Sequence, residues 1–106
     1  GPRRSVGVVL AAGGYPGSYA KGRPITGLDD AGALDGVTVF HAGTVETNGR
    51  IYTNGGRVLG VTGRGDTLAR ARDRAYSGVD RIAFEDRVAG GVTDIFMVKA
   101  DGSTTG

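Results

Sequence analysis

Apolar residues in this chain come in short runs separated by glycine-rich breaks, and the period of the runs predicts several strands and one helix. Residues 5–12 read Ser-Val-Gly-Val-Val-Leu-Ala-Ala, a β-branched run ended by Gly13-Gly14, which predicts a buried strand. Residues 13–22 form a long turn, because glycine and proline interrupt them too often for a ladder. Residues 25–34 are weakly patterned, and Asp29-Asp30 would cap a single helical turn there before Gly36. Residues 37–42 (Val-Thr-Val-Phe-His-Ala) predict the next strand. In residues 45–52, Asn48-Gly49 stands between two short runs, the pattern of a tight type I′ hairpin. A second turn, Asn54-Gly55-Gly56, leads into a strand over residues 57–62. Together these segments predict an antiparallel meander, with Gly60 marking a bulge or a close backbone approach.

The period then changes from two to nearly four. Leu68, Ala71, Ala75, Val79 and Ile82 form one apolar stripe, with Asp66 expected to cap the helix that carries it. Arg70, Arg72, Asp73, Arg74, Asp80 and Arg81 lie off the stripe and read as a solvated face. Ser77-Gly78 weakens the last turns, by about 1 kcal/mol for the glycine. Residues 93–99 predict one more strand. Asp101-Gly102 would turn a hairpin, yet only Ser103, Thr104, Thr105 and Gly106 follow it. Such an open strand edge suits pairing with a second copy, so a homodimer is one expected association. The fold class is mainly β, of α+β type: a small antiparallel domain with one long helix.

Composition narrows this picture. At 106 residues the chain suits one domain, and 39% apolar with 23% charged residues fits a globular protein. Its 21 glycines are far above the usual share of about 7%, and without a period they signal dense turns. With no cysteine there is neither a disulfide nor a thiolate metal site, which suits a cytoplasmic protein. No apolar run approaches the roughly 20 residues of a membrane span, and no signal peptide opens the chain. Gly1-Pro2 without a methionine reads as a protease-cleavage scar. The 13 basic residues are met by 11 acidic ones, giving a net charge of +2 and a mixed surface that argues against nucleic acid. An OB-like nucleic-acid binder would need exposed aromatics, and only Tyr15, Tyr19 and Tyr52 qualify, none interleaved with lysines.

Candidate chemistry is sparse. The single histidine, His41, has no carboxylate pair at metal-ligand spacing and no nucleophile-elbow pattern, so no catalytic residue and no metal site are expected. His41 faces solvent or a ligand, or is a hydrogen-bonded structural residue. The loop of Gly13, Gly14, Tyr15, Pro16 and Gly17, with Lys21 and Arg23 behind it, lacks a Walker ending; it is either an anion-binding loop or a surface turn. Gly55-Gly56-Arg57 places a guanidinium, which grips phosphate through two parallel hydrogen bonds, beside a backbone that a ligand can approach closely; the plain alternative is a solvated strand-end arginine.

Read together, residues 8–19 (Val-Val-Leu-Ala-Ala-Gly-Gly-Tyr-Pro-Gly-Ser-Tyr) with Lys21-Gly22, residues 39–44 (Val-Phe-His-Ala-Gly-Thr) and residues 54–62 (Asn-Gly-Gly-Arg-Val-Leu-Gly-Val-Thr) resemble the C-terminal domain of the phosphoribosylamine–glycine ligases. Residues 65–69 (Gly-Asp-Thr-Leu-Ala), the arginine-bearing helix, Arg81-Ile82 and Phe84-Glu85 continue the likeness, which runs from about residue 6 to residue 85. The resemblance implies an ATP-grasp ligase that joins glycine to phosphoribosylamine in de novo purine synthesis, through a glycyl phosphate, in the cytoplasm. It also implies that ATP and Mg²⁺ are held by ATP-grasp modules outside this chain, so that the chain binds no cofactor and is inactive alone. The domain itself would be a rudimentary barrel-sandwich hybrid that closes over those modules. Its partner molecule would be phosphoribosylamine or the product, whose phosphate falls to Arg57 with Gly55, Gly56 and Lys21, supported by the loop of Gly13, Gly14, Tyr15, Pro16 and Gly17. His41 stays a further candidate.

The likeness stops after Glu85. Residues 86–106 carry neither the Tyr/Arg-rich stretch nor the Asp-Ile-Gly motif that usually closes the family. Either the terminus has diverged or a foreign strand completes the barrel; in the second case the chain is an engineered or chimeric β domain in which the ligase motifs serve as scaffold. The expected organisation is therefore scar and lead-in over 1–5, the ligase-like domain over 6–85, and a divergent segment over 86–106.

Overall fold

The centre of the structure is a pair of antiparallel strands, β1 (Arg4–Ala11) and β5 (Arg57–Gly65), in register at Val8↔Val61 and Leu10↔Leu59. Both are rich in β-branched and glycine residues. In this computed structural model residues 4–88 are described in full, and two further strands, 95–99 and 104–105, by their backbone. The remaining elements are α1 (Leu28–Gly32), β2 (Val37–His41), β3 (Thr44–Thr47), β4 (Arg50–Thr53), α2 (Leu68–Arg81), β6 (Ile95–Lys99) and β7 (Thr104–Thr105).

The strands do not follow one another as a meander. The five-stranded sheet has the order β2-β5-β1-β6-β7, while β3 and β4 pair only with each other. The hairpin is thus an excursion between β2 and β5, and every pair in the main sheet is antiparallel. Nor do the strands close a barrel among the described residues: β2 and β7 stand at the two edges of an open sheet. The physical reason lies in α2, which packs across one face of β1, β5 and β2, so the core is buried between helix and sheet. Val6, Val8 and Leu10 of β1, Leu59 and Val61 of β5, Ala71, Ala75 and Val79 of the helix, and Ile82, the extended residue that follows it, are all at most 2% exposed. Full burial of each Val, Leu or Ile stabilises the fold by roughly 1.5–3 kcal/mol.

Local detail departs from the sequence reading at four points. The cap of α2 is Thr67 and not Asp66: the Thr67 backbone is extended and its side chain accepts a hydrogen bond from the Arg70 amide at 3.1 Å. Asp66 instead pairs with Arg70 on the surface. The cap of α1 is Gly27 at φ 85°, and Asp29 and Asp30 lie in the first turn without capping it. No bulge occurs at Gly60; the register shifts between Leu10 and Ala11, where the chain leaves β1. A Cβ at Gly60 would meet only the Phe40 Cβ, at 3.9 Å, so nothing crowds it. Leu68, on the predicted stripe, is 44% exposed, and the buried stripe begins at Ala71.

Other features agree with the sequence. Asn48 and Gly49 both have positive φ (52° and 79°), as a type I′ turn between β3 and β4 requires. The strand expected over 93–99 is found as β6, which pairs with β1, and β7 returns against it. The scar expected at Gly1-Pro2 and the turn expected at Asp101-Gly102 fall outside the described residues.

Candidate functional site

Antiparallel pairing decides where the loops meet. β5 runs opposite to both β1 and β2, so the C-terminal ends of β1 and β2 and the start of β5 share one end of the sheet. The loop after Ala11, the Ala42-Gly43 connection and the turn before Arg57 therefore converge there. Backbone hydrogen bonds tie them: the Ala12 amide donates to the Gly56 carbonyl at 2.8 Å, and the Asn54 amide donates to that of Gly43 at 2.8 Å. The Ala42 and Gly43 amides both donate to the Val58 carbonyl at 3.1 Å.

Two close approaches fix the Gly55-Gly56-Arg57 turn from opposite sides. A Cβ on Gly56 would lie 2.8 Å from the Cγ of Tyr15 and nearer still to Cδ1 and Cε1, so the Tyr15 ring occupies the space a side chain would need. A Cβ on Gly43 would lie 3.0 Å from the Gly55 Cα and nearer still to the Arg57 carbonyl oxygen. The groups that come close to these two glycines are thus Tyr15 and Gly43 of the fold itself. Tyr15 in turn meets Tyr19 edge to face, with ring centroids 6.0 Å apart.

The other candidate residues fall as follows. Arg57 is exposed and has no ion-pair or side-chain hydrogen-bond partner among the described residues. Gly14, Tyr15, Pro16 and Gly17 are exposed and Gly13 is half-buried. Lys21 is exposed, one residue before Gly22, whose amide donates to the Thr53 carbonyl at 2.7 Å. His41, the last residue of β2, pairs with Leu59. Its Nδ1 lies 2.8 Å from the Thr44 Oγ1, and it borders a groove of about 750 Å³ between the β3–β4 hairpin and residues 24–30, with Glu46 and Arg50.

Sequence reasoning missed the part played by Gly43 and the seat of Tyr15 on Gly56. It also missed the arginines that tie the other end of the sheet. There Arg64 donates to the Thr38 hydroxyl at 2.9 Å, and Arg74 donates to the Arg64 carbonyl at 2.7 Å. The description of the helix arginines as a purely wet face therefore fails for Arg74, which is half-buried. Among the described residues no group of three His, Cys, Asp or Glu is placed to hold a metal ion, and no helix is long and apolar enough to cross a membrane.

Residues 5–89 match the family model for the phosphoribosylglycinamide synthetase C domain. The chain belongs to this family. Among relatives of this C domain, the phosphoribosylamine–glycine ligase of Pseudomonas putida is 60% identical over 75 residues, which is 71% of this chain and 17% of that protein. The enzyme of the same name from Synechocystis is 58% identical over 81 residues, 76% of this chain and 19% of that protein. A solved structure of phosphoribosylamine–glycine ligase from Thermotoga maritima is 40% identical and superposes with a TM-score of 0.68, covering 80% of this chain and 20% of that one. The C domain thus spans about a fifth of the length of the ligases it matches. Its α+β architecture is shared with the Thermotoga structure, and every candidate residue from Gly13 to Arg57 lies inside the matched segment.

Proposed function

We propose that this chain acts as the C-terminal domain of a phosphoribosylamine–glycine ligase in purine biosynthesis, a cytoplasmic reaction, and that it binds the phosphate of phosphoribosylamine. The observation that carries this reading is an exposed Arg57, without an ion-pair partner among the described residues, on a turn whose backbone is fixed on both sides. A guanidinium can meet a phosphate with two parallel charge-assisted hydrogen bonds, and a turn already held in place loses little freedom on binding. Lys21 adds a second positive charge, and the amides of Gly55 and Gly56 and of the loop of Gly13, Gly14, Tyr15, Pro16 and Gly17 add donors. The C domain would close over ATP-grasp modules in the remainder of the ligase. ATP and Mg²⁺ belong to those modules; the described residues present no acidic group suited to the ion, and no step here runs through it.

The role we assign to this end of the sheet is binding and closure. In the ligase, Arg57→Ala should raise KM for phosphoribosylamine by about ten- to a hundredfold, the equivalent of losing one charge-assisted pair. KM for ATP should move less than about twofold. Equal changes in both constants, or none, would remove Arg57 from the phosphate site.

A further inference from the structure

We infer that Tyr15 is a positioning residue for Arg57: its ring, seated on Gly56, sets the path of the Gly55-Gly56-Arg57 turn and so the direction from which the guanidinium meets a phosphate ester. The inference rests on the reading of Arg57 as the phosphate grip and adds to it a second residue acting at a distance.

Three observations support it. The Tyr15 ring fills the side-chain space of residue 56, leaving no room for even a methyl group there. The turn has little freedom to drift away from the ring, because the Gly56 carbonyl accepts from the Ala12 amide and Gly43 abuts Gly55 and the Arg57 carbonyl on the other side. Tyr15 is itself held: its amide donates to the Ala12 carbonyl at 3.1 Å and its ring meets that of Tyr19. One residue, Ala12, thus anchors both Tyr15 and Gly56. Tyr15 stays 38% exposed as a residue, so the contact with Gly56 is a surface clamp, and Tyr15 is absent from the main hydrophobic cluster, although Tyr19 packs against it. Removing it should loosen the turn without emptying the core.

The chemistry implied is modest. A bidentate pair demands that both guanidinium N–H groups lie in the plane of two phosphate oxygens, so a turn that wanders gives up one of the two bonds. The phenol hydroxyl plays no part in this; the flat ring does. Phenylalanine should therefore serve almost as well as tyrosine, and alanine should not.

The test uses the 106-residue chain and ribose 5-phosphate, followed by NMR through the Arg57 Nε–Hε signal and the Gly55 and Gly56 amides. Tyr15→Ala should weaken binding roughly tenfold, the loss of one of the two bonds. Tyr15→Phe should recover most of that loss. Gly56→Ala, which displaces the ring, should match Tyr15→Ala, and the double variant should be no weaker than either single one, because both break the same contact. The amide signals of Gly63 and Ala75, at the helix–sheet contact, should stay in place in every variant, which separates a loosened turn from an unfolded chain. If Tyr15→Ala binds as the parent does while Arg57→Ala has lost binding, Tyr15 is not a positioning residue and only this inference falls. If Arg57 does not respond to the ligand in the parent chain, or Arg57→Ala binds equally well, the phosphate reading itself fails and the inference goes with it.

Discussion

Gly63→Ala should be among the most damaging single-methyl changes in this domain. Gly63 lies on β5 beneath α2, and a Cβ placed on it would sit 2.9 Å from the Ala75 Cα, nearer still to the Ala71 carbonyl oxygen and the Ala75 nitrogen. Carbon atoms pack at about 3.5–4.0 Å, so the helix would have to retreat by roughly 1 Å. Its backbone cannot rotate aside as a side chain would. Retreat would lift Ala71, Ala75, Val79 and Ile82 together from Val6, Val8 and Val61, and a gap of that size forfeits up to about half of each dispersion contact. Overfilling of a core costs about 1–3 kcal/mol, and a backbone neighbour puts this case near 3. For a domain of this length the melting temperature should fall by roughly 12–24 °C, read by circular dichroism at 222 nm. Gly32→Ala serves as the control: nothing lies within 4 Å of its added methyl, at the end of α1, and stability should hold or rise by less than about 1 kcal/mol. Should Gly63→Ala melt within about 3 °C of the parent, the helix does not rest on that strand as described.

Further predictions concern the helix and the hairpin. Thr67→Ala should cost about 1 kcal/mol by removing the bond to the Arg70 amide, while Asp66→Ala, which loses only an exposed ion pair, should cost less than about half that; urea midpoints of the two variants decide. At Gly78, alanine gains about 1 kcal/mol of helix propensity, but its methyl would lie 2.8 Å from the Cγ1 atoms of both Val37 and Val61. Valine side chains turn aside poorly, so the crowding should win and the variant should lose about 1 kcal/mol net in the same unfolding assay. Asn48→Val puts a β-branched residue at φ 52° and should cost about 1–2 kcal/mol, with NMR shift changes confined to β3 and β4.

What could be read from the sequence was local. The β-branched run of β1, the Asn48-Gly49 turn and the helical stripe Ala71–Ala75–Val79 each announce themselves within a dozen residues, and each was found where expected, while Ile82, read as the end of that stripe, is buried just past the helix in extended backbone. Sheet order was not legible, because β5 chooses β1 and β2 as neighbours over the β4 strand that precedes it, and no local pattern encodes that choice. The cap of α2 was misread by one position since Asp66 and Thr67 are both good caps; only the extended backbone at Thr67 separates them. The glycines were hardest. Gly78 looks like a weak point in a helix, and it is buried there because the helix touches Val37 and Val61 through it.

The same difficulty governs the candidate site. Gly55-Gly56-Arg57 and the loop around Tyr15 could each be singled out from residue type, but their meeting depends on β1 and β5 ending and starting at one place. Once they do, the glycines are explained by neighbours already inside the fold: Tyr15 on one, Gly43 against the other. A ligand therefore need not come close to the glycine backbone for the turn to require glycine. What such packing leaves outward is the side chain of Arg57, held on a backbone that is clamped before any ligand arrives. If the turn grips phosphate as proposed, recognition should depend on charge and direction at one residue, and the surrounding glycines should influence it only through the clamp. Of the two readings of this turn, the phosphate grip and the solvated strand end, only the first predicts that a change at Tyr15 will be felt at the Arg57 guanidinium as a loss of affinity.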